Sequence, residues 1–325
     1  MKAMRCVLAG VLVQLVGALL VPEMAPVAAA QDKYPSRPIN FIVPWGAGGG
    51  ADQTARAAAQ IMEPVLGVSM PIVNVPGATG QSGMAKFMAA PADGYTLQIM
   101  TGETVALLAT RDPKFQFSDL VPLAVMIQTP SGFYVKEDSP WKSWKDVEKA
   151  ARERLLKVAI TGFGSPDDLI INYFKKQGLK LQAVPYKASE RYTSVIAGHV
   201  DVLYEQPGDV KSFLTNKQIR PVLFFYDKTF APFPDTPVSG QLGYDITLPQ
   251  VRIFVVKKGT DPKQVKVLET ALAKVSESQQ YKDFLKTQYG VPDSYLAGDQ
   301  AFKFLDGWLA QARKMMKAAG MTKSQ

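Results

Sequence analysis

The sequence predicts an α/β protein of two domains, and three observations carry that reading. Between Ile39 and Ala109 a short apolar run, a glycine- or threonine-rich turn and a helix-like segment follow one another three times. The rhythm breaks at Val121–Ile127 and Gly132–Val135, two strand-like runs with little helix between them, and resumes at Lys157. A late apolar run, Val251–Val256, stands alone before a helical C-terminal part, as expected of a chain that leaves one domain for a second and returns.

The first unit is Ile39–Val43, then Pro44-Trp45-Gly46-Ala47-Gly48-Gly49-Gly50-Ala51-Asp52, then a helix over Thr54–Leu66 with Gly67 past its end. The second is a strand over Met70–Val75, the turn Pro76-Gly77-Ala78-Thr79-Gly80-Gln81-Ser82-Gly83, and a helix through about Ala90. The third is a strand over Tyr95–Met100 with Thr101-Gly102-Glu103-Thr104 opening a helix. Three successive strand–turn–helix units imply a mostly parallel sheet with right-handed crossovers. A domain crossing is placed at about Pro122–Thr129. Beyond it Ser143 caps a charged helix, Trp144–Leu155, whose charges, Glu148 and Arg152 among them, read as a solvated face. Lys157–Thr161 is a strand; in Gly162-Phe163-Gly164-Ser165-Pro166, Ser165 is the N-cap and Pro166 the first residue of a helix running to about Gln177. Strands at Leu181–Val184, Asp201–Glu205 and Arg220–Phe225 flank a helix at Glu190–Ala197, and Tyr226–Pro249 reads as loop. In the last helix Phe302, Leu305, Trp308, Leu309, Ala312 and Met316 form a core-facing stripe. The domains are therefore 1–30 as a leader, 31–125 with 252–325 as the first domain, and 126–251 as the second, inserted one. No repeat of fixed period is seen.

Bulk properties narrow the function. Lys2 and Arg5, the apolar run Val7–Val21 and the small residues Val27-Ala28-Ala29-Ala30 read as an export signal cut before Gln31, too short to span a bilayer. Cys6, the one cysteine in 325 residues, lies in that segment. The mature chain is thus expected to lack disulfides, thiol nucleophiles and thiolate metal sites, and so to depend on a sizeable core. Removing the leader's net +1 from the formal +8 leaves a basic chain of about +7, without a dense Lys/Arg cluster, which suits a soluble protein whose mild field attracts small anions.

Enzyme chemistry finds little footing. His199 is the only histidine and sits beside a turn. No Gly-x-Ser-x-Gly elbow occurs, and Ser139-Pro140-Trp141-Lys142 lacks the companion motifs of Ser-x-x-Lys enzymes. Asp167 and Asp168 lie at a helix start, where they favour the dipole. Gly46–Ala51 matches Gly-x-Gly-x-x-Ala after a strand, but the next strand ends in Asn74, where a dinucleotide site wants an acid. No cofactor and no metal is expected. What remains is a set of anion-friendly turns, Gly46–Asp52, Gly77–Gly83 with Thr101-Gly102, and Thr161–Pro166. If two α/β domains face each other, such turns line one cleft and can hold the two ends of a small diacid.

The residues also carry a family resemblance. Tyr34-Pro35-Ser36-Arg37-Pro38-Ile39, Ile42–Asp52, Ala55-Arg56, Asn74-Val75-Pro76-Gly77-Ala78, Pro91-Ala92-Asp93-Gly94-Tyr95-Thr96-Leu97, Gly162-Phe163-Gly164-Ser165, Val184-Pro185-Tyr186-Lys187 and Phe233-Pro234-Asp235-Thr236-Pro237 resemble the Bug receptors, the periplasmic solute-binding proteins of tripartite tricarboxylate transporters. The likeness spans nearly the whole mature chain. It implies a type II periplasmic-binding-protein (Venus-flytrap) fold with crossed hinge strands, a periplasmic location and a monomer. It implies a receptor that captures a dicarboxylate or aromatic carboxylate in its cleft and delivers it to the large and small membrane subunits of a transporter. An exported sensor that reports the same acid to a membrane kinase is the alternative.

Carried over by position, Trp45, Gly46, Ala47, Gly48 and Gly49 with Pro76, Gly77, Ala78, Thr79 and Gly80 would cradle one carboxylate, with Thr101 nearby. Thr161, Gly164 and Ser165 would address the other end, with Tyr186 and Glu205 on the same side. Asp52 would order the first loop, and Trp45 would either stack on the ligand or wall the cleft. The chain departs from the family pattern at Asp168-Leu169, where His-Leu is usual, at Ala188 after Lys187, at Gly46-Ala47, and in the acidic stretch Tyr204-Glu205-Gln206-Pro207-Gly208-Asp209. Most of these lie on the second domain's side, where the choice of acid is expected to be made.

Overall fold

The computed structural model describes residues 33–321; the predicted leader, residues 1–30, lies outside them. The three predicted opening units are β1 (Asn40–Val43) and α1 (Gly50–Leu66), β2 (Ile72–Asn74) and α2 (Gln81–Ala89), and β3 (Thr96–Thr101) and α3 (Gly102–Thr110). Their strands are parallel, with β1 between β2 and β3. Helix α1 ends at Gly67, whose left-handed φ of 72° lets its N–H reach back to Glu63.

The chain then enters β4 (Leu120–Thr129), leaves the first sheet, and begins β5 (Gly132–Lys136) in the second. There follow α4 (Trp144–Glu153), β6 (Leu156–Ile160), α5 (Pro166–Lys176), β7 (Leu181–Pro185), α6 (Ala188–Ile196), β8 (Val202–Glu205), α7 (Lys211–Thr215) and β9 (Ile219–Phe224). Ser143 accepts from Asp146 N and starts α4 as predicted. The stretch read as loop holds a single 3₁₀ turn, Ser239–Leu242, and leads into β10 (Gln250–Lys257). The C-terminal part is α8 (Pro262–Glu277), α9 (Gln279–Thr287), a two-residue strand β11 (Leu296–Ala297) and α10 (Gly298–Ala318). Helix α7 and strand β11 were not foreseen; at five and two residues they carry too little periodicity to read.

The two sheets share one plan. The first runs β11-β4-β10-β3-β1-β2 and the second β7-β6-β8-β5-β9. Each has a parallel triplet, then one antiparallel strand brought in across the inter-lobe connection, then a further strand, to which the first sheet adds the short edge strand β11: β10 pairs antiparallel with both β3 and β4, and β5 with both β8 and β9. The crossing strands are therefore interior, bonded on both sides, so each connection is anchored in the middle of a sheet.

Both faces of each sheet are covered. Phe41, Leu97, Ile99, Phe254 and Val256 pack beneath α1, α8 and α9, with Phe41 and Phe254 in edge contact at 4.7 Å. In the second lobe Phe133, Trp144, Phe174 and Phe225 form an aromatic nucleus on one face, and Tyr134, Leu203 and Phe224 lie on the other. Helix α10 packs against α3 of the first lobe and α5 of the second. Its predicted stripe is buried at Leu305, Trp308, Leu309 and Ala312, but Phe302 is exposed and stacks on Phe117, and Met315, one residue before Met316, is the buried methionine. Among the described residues no helix is long and apolar enough to cross a membrane, and no group of three or more His, Cys, Asp or Glu side chains is placed to hold a metal ion.

Candidate functional site

The carboxyl ends of β2, β1 and β3 lie side by side, and the turns that leave them form one rim. After β1 the chain exposes Gly46, Ala47 and Gly48. Asp52, four residues beyond Gly48, turns back and accepts from the Gly48 amide at 2.9 Å. Asn74 at the end of β2 donates to Asp52 Oδ1 and to the Trp45 carbonyl, both at 3.0 Å, and Arg56 holds the other oxygen of Asp52 at 2.9 Å. Burial alone would raise the Asp52 carboxyl; the bonds from Arg56, Gly48 and Asn74 outweigh it and hold the group below its ordinary value. Asp52 thus orders the loop, and Asn74, the residue that argued against a dinucleotide, is its brace.

The turn after β2 is built differently. Gly77, Ala78, Thr79 and Gly80 have φ of 138°, 46°, 56° and 91°, so four successive residues carry positive φ. For the two non-glycines this costs about 1–2 kcal/mol each. Such strain persists only where surrounding packing enforces it. Here a Cβ on Gly80 would meet Thr104 Cγ2 at 2.6 Å, and one on Gly83 would meet the Pro44 backbone at the same distance, so the turn is pressed against β1 and α3. No side chain caps the Gly77 end, and among the described residues no carboxylate accepts from the Gly77–Thr79 amides. Successive N–H groups in such a turn form an anion-binding concavity. Beside it, Trp45 Nε1 and Thr101 Oγ1 are buried without a partner.

In the second lobe the predicted donors are already engaged. Thr161 N donates to Asp167 at 2.6 Å and Gly164 N to Asp168 at 2.8 Å. Ser165 occupies the N-cap position and Pro166 follows it, as predicted, but the Ser165 hydroxyl donates to the Gly162 carbonyl instead of capping the helix. Asp167 and Asp168, read as helix-start acids that favour the dipole, are buried (0% and 5% exposed). Burial pushes the Asp167 carboxyl up to about 7, against the pull of the Thr161 amide and Arg191 and with Glu103 and Asp168 adding to the rise; burial likewise raises Asp168. Tyr186 is half-buried at the end of β7, with its amide on the Ile160 carbonyl. Glu205 is fully engaged too: Arg191 Nε and Nη2 hold one oxygen at 3.0 and 2.5 Å, and Gln206 N donates to the other at 3.0 Å. Burial pushes Glu205 up while Arg191 pulls it down.

Several residues that join the lobes were not read from the sequence. Arg252, on β10 and 3% exposed in its side chain, pairs with Asp209 of the second lobe at 3.0 Å and also reaches Thr54 and Gln288 at 3.2 Å. Gly50 makes room for it: a Cβ there would overlap the Arg252 guanidinium and the Asp209 carboxylate. Gln250 accepts from Gly102 N at 2.8 Å, donates to Glu103 at 2.6 Å and approaches Gln206 at 3.4 Å, while Gln206 donates to Ser131 at 3.1 Å on the outgoing connection. Further along the same junction, Thr110 Oγ1 donates to the Gly164 carbonyl at 2.8 Å and Arg111 to the Phe163 carbonyl at 3.1 Å. A Cβ on Gly162 would lie 2.7 Å from Thr79 Oγ1, so the two lobes' turns are in contact. The available signal was Gln250 and Arg252, polar side chains in an otherwise apolar strand. His199 is exposed at its turn.

Comparison with known proteins adds to this geometry. Residues 54–321 match the family described as the tripartite tricarboxylate transporter family receptor. A protein from Cupriavidus necator, named for its place in the gbd 5′ region, is 27% identical over 311 residues, covering 92% of this chain and 93% of its own. Protein BugT from Bordetella pertussis is 27% identical, covering 82% and 84%. Among solved structures, a TctC solute-binding protein from Polaromonas is 26% identical with a TM-score of 0.67, covering 87% of this chain and all but 1% of its own. The periplasmic binding protein BugD has a TM-score of 0.81 at 23% identity, covering 90% of this chain and all of its own. Rpa4515 from R. palustris, solved with adipate, has a TM-score of 0.80 at 24% identity, again over 90% of this chain.

Proposed function

We propose, since the chain belongs to the tripartite tricarboxylate transporter receptor family, that it works in the periplasm as the binding component of such a transporter. It is a solute-binding receptor and not an enzyme. On this reading it captures a small organic carboxylate between its lobes and hands it to the two membrane subunits. The observation that carries the reading is the Gly77–Gly80 turn: four positive-φ residues held in place by packing, with open amides, beside an unpartnered indole N–H and a buried hydroxyl. Adipate in Rpa4515 and malate in MatC, both proteins of like fold, fit a carboxylate guest. Charge-assisted bonds of ~1.5–3 kcal/mol each make micromolar binding, about −8 kcal/mol, attainable from a handful of contacts after closure costs.

A thermal-shift screen of the mature protein against mono-, di- and tricarboxylates, aromatic and amino acids, sugars and simple amines tests this. A true ligand at 100 times its Kd adds ~2.7 kcal/mol of stability. Stabilisation by sugars or amines and by no carboxylate would defeat the reading. Gly77→Ala sharpens it: the new Cβ meets Ser82 Oγ at 2.6 Å at a φ that disfavours side chains, so carboxylate binding is expected to fall by more than folding stability does.

A further inference from the structure

The second sheet ends on one side in an open edge. Its other edge, β9, is covered where Phe224 N donates to the Pro237 carbonyl at 3.0 Å. The open edge is β7. Leu156 N donates to the Lys180 carbonyl and Tyr186 N to the Ile160 carbonyl, so residues 180, 182, 184 and 186 turn their main-chain groups toward β6. Leu181 and Ala183 turn theirs outward. Leu181 N is used by the Leu179 carbonyl, which leaves the Ala183 N–H and the carbonyls of Leu181 and Ala183; among the described residues no side chain bonds to these. A groove of about 650 Å³ runs along this edge between β7 and α5, over Ile171, Leu181 and Ala183. Phe163, which follows β6, and Leu155, which precedes it, also line the groove. Among the described residues these are the two most exposed large apolar side chains (51% and 53%). The charge along the groove is basic. Lys175 stands in its wall, and Lys176 and Lys180 are exposed nearby in sequence. The one acid in the wall, Asp168, is occupied by the Gly164 amide and Asn172.

We propose that this groove docks the receptor on its transporter: an extended periplasmic segment of a membrane subunit, apolar on one face and bearing carboxylates, adds to the edge of β7. This rests on the transport reading above. Main-chain groups on an open edge are met by another chain, and the side-chain pockets beside them set which chain. An occupant lying between Leu155 and Phe163 is extended, about six residues at ~3.3 Å each. Its apolar side chains cover Leu155, Phe163 and the groove floor, and its carboxylates meet Lys175 and Lys180. A second copy of this chain would set the same lysines against each other. A lipid surface would leave the Ala183 N–H unanswered in a concave groove. Phe163 also belongs to the turn whose carbonyl accepts from Arg111 of the first lobe, so one end of the groove adjoins the contact between the lobes.

The test reconstitutes the large and small membrane subunits of its own transporter in phosphatidylcholine vesicles and measures flotation of the mature receptor with them, in the presence of the carboxylate that stabilises it. Vesicles of phosphatidylcholine alone, and with added phosphatidylglycerol, carry no subunits and serve as the lipid arm. The receptor is expected to float with the subunit vesicles only, less so as salt rises. Lys175→Glu is expected to weaken docking about tenfold or more, Ala183→Pro, which removes the open N–H at an edge position, about tenfold, and Leu155→Ser about threefold. Each variant is expected to keep the thermal shift given by the same carboxylate. Should Ala183→Pro not fold, Lys175→Glu decides. Variants that float like the wild type overturn the proposal and leave the receptor standing. So do flotation with phosphatidylglycerol vesicles that Lys175→Glu abolishes, and a dimer in sedimentation velocity that Leu155→Ser splits. Subunit vesicles that take up no carboxylate with the wild-type receptor present overturn the transport reading and the groove together.

Discussion

Three turns of this protein look alike in sequence, and two of them behave differently from the third. After β1 and after β6, the equivalent strands of the two sheets, a left-handed glycine (Gly48, φ 81°; Gly164, φ 83°) is followed four residues on by an aspartate that accepts from its amide. The turn after β2 has no such aspartate, and its backbone stays left-handed from Gly77 to Gly80. The first kind of turn supplies its own anion and is complete without a guest. The second is strained and open. A glycine-rich turn before a helix is therefore not by itself an anion site; what the first turn of the helix sends back decides whether donors remain.

The widest test of this contrast acts on the frame that holds the turns face to face. Arg252→Met leaves Asp209, 10% exposed in its side chain, without its cation. Breaking a buried pair from one side costs about 3–5 kcal/mol. A drop of that size in urea-unfolding stability is expected; a loss below about 1 kcal/mol would mean the pair does not brace the lobes.

The next effect isolates the meeting of the open and self-capped turns. Gly162→Ala places a Cβ 2.7 Å from Thr79 Oγ1. Affinity for whichever carboxylate stabilises the protein is expected to fall about tenfold, ~1.4 kcal/mol, with little change in unfolding midpoint. Adding Thr79→Ala removes the obstructing hydroxyl and is expected to restore compaction on ligand addition in small-angle scattering. Failure to restore it would place the defect inside the second lobe.

A smaller effect separates the capping acids by pH. Asp167 is pushed up to about 7 by burial, faced by Arg191 from α6, Glu103 from α3, Asp168 from α5 and Tyr204 from β8. The native state then holds this proton more tightly than the unfolded chain. Its contribution is fully present below the unfolded value near 4 and is lost as pH rises through 7. Asp167→Asn is expected to flatten that decline in a series of melts between pH 4 and 8. Asp52 is shifted the opposite way, so its contribution is present above the unfolded value and lost as pH falls through the lower native one. The smallest change is expected on the exposed face of α4, where Glu148 and Arg152 pair at 2.7 Å: Glu148→Ala should cost only about 0.3–0.5 kcal/mol in the same melts.

Most of the architecture was legible because its signals are local. Strand–turn–helix units around Gly46, Gly77 and Thr101, the Ser143 cap, Pro166 at a helix start and the isolated strand before the C-terminal helices could each be read within a dozen residues. The site was legible only in part. Asp52 was recognised as a loop-orderer because it lies four residues from the glycine it serves. Asp168 stands at the same spacing from Gly164 and was passed over, since an acid at a helix start already has a sufficient local reason to be there. Glu205, read as a contact, is consumed by Arg191, fourteen residues away in sequence but adjacent across β8 and α6.

The sequence by itself determined that this is a two-lobed α/β receptor of its family, and where its glycine-rich turns leave the strands. Hydrophobic period, glycine placement and capping are short-range properties, and they act before the chain has a shape. Only the tertiary structure decided which turn keeps its donors, because that depends on partners brought together from 22 to 198 residues apart: Asn74 on Asp52, Gln250 on Glu103, Arg252 on Asp209 and Thr54. An amide is open or closed according to what folds over it, and no window of sequence contains that information.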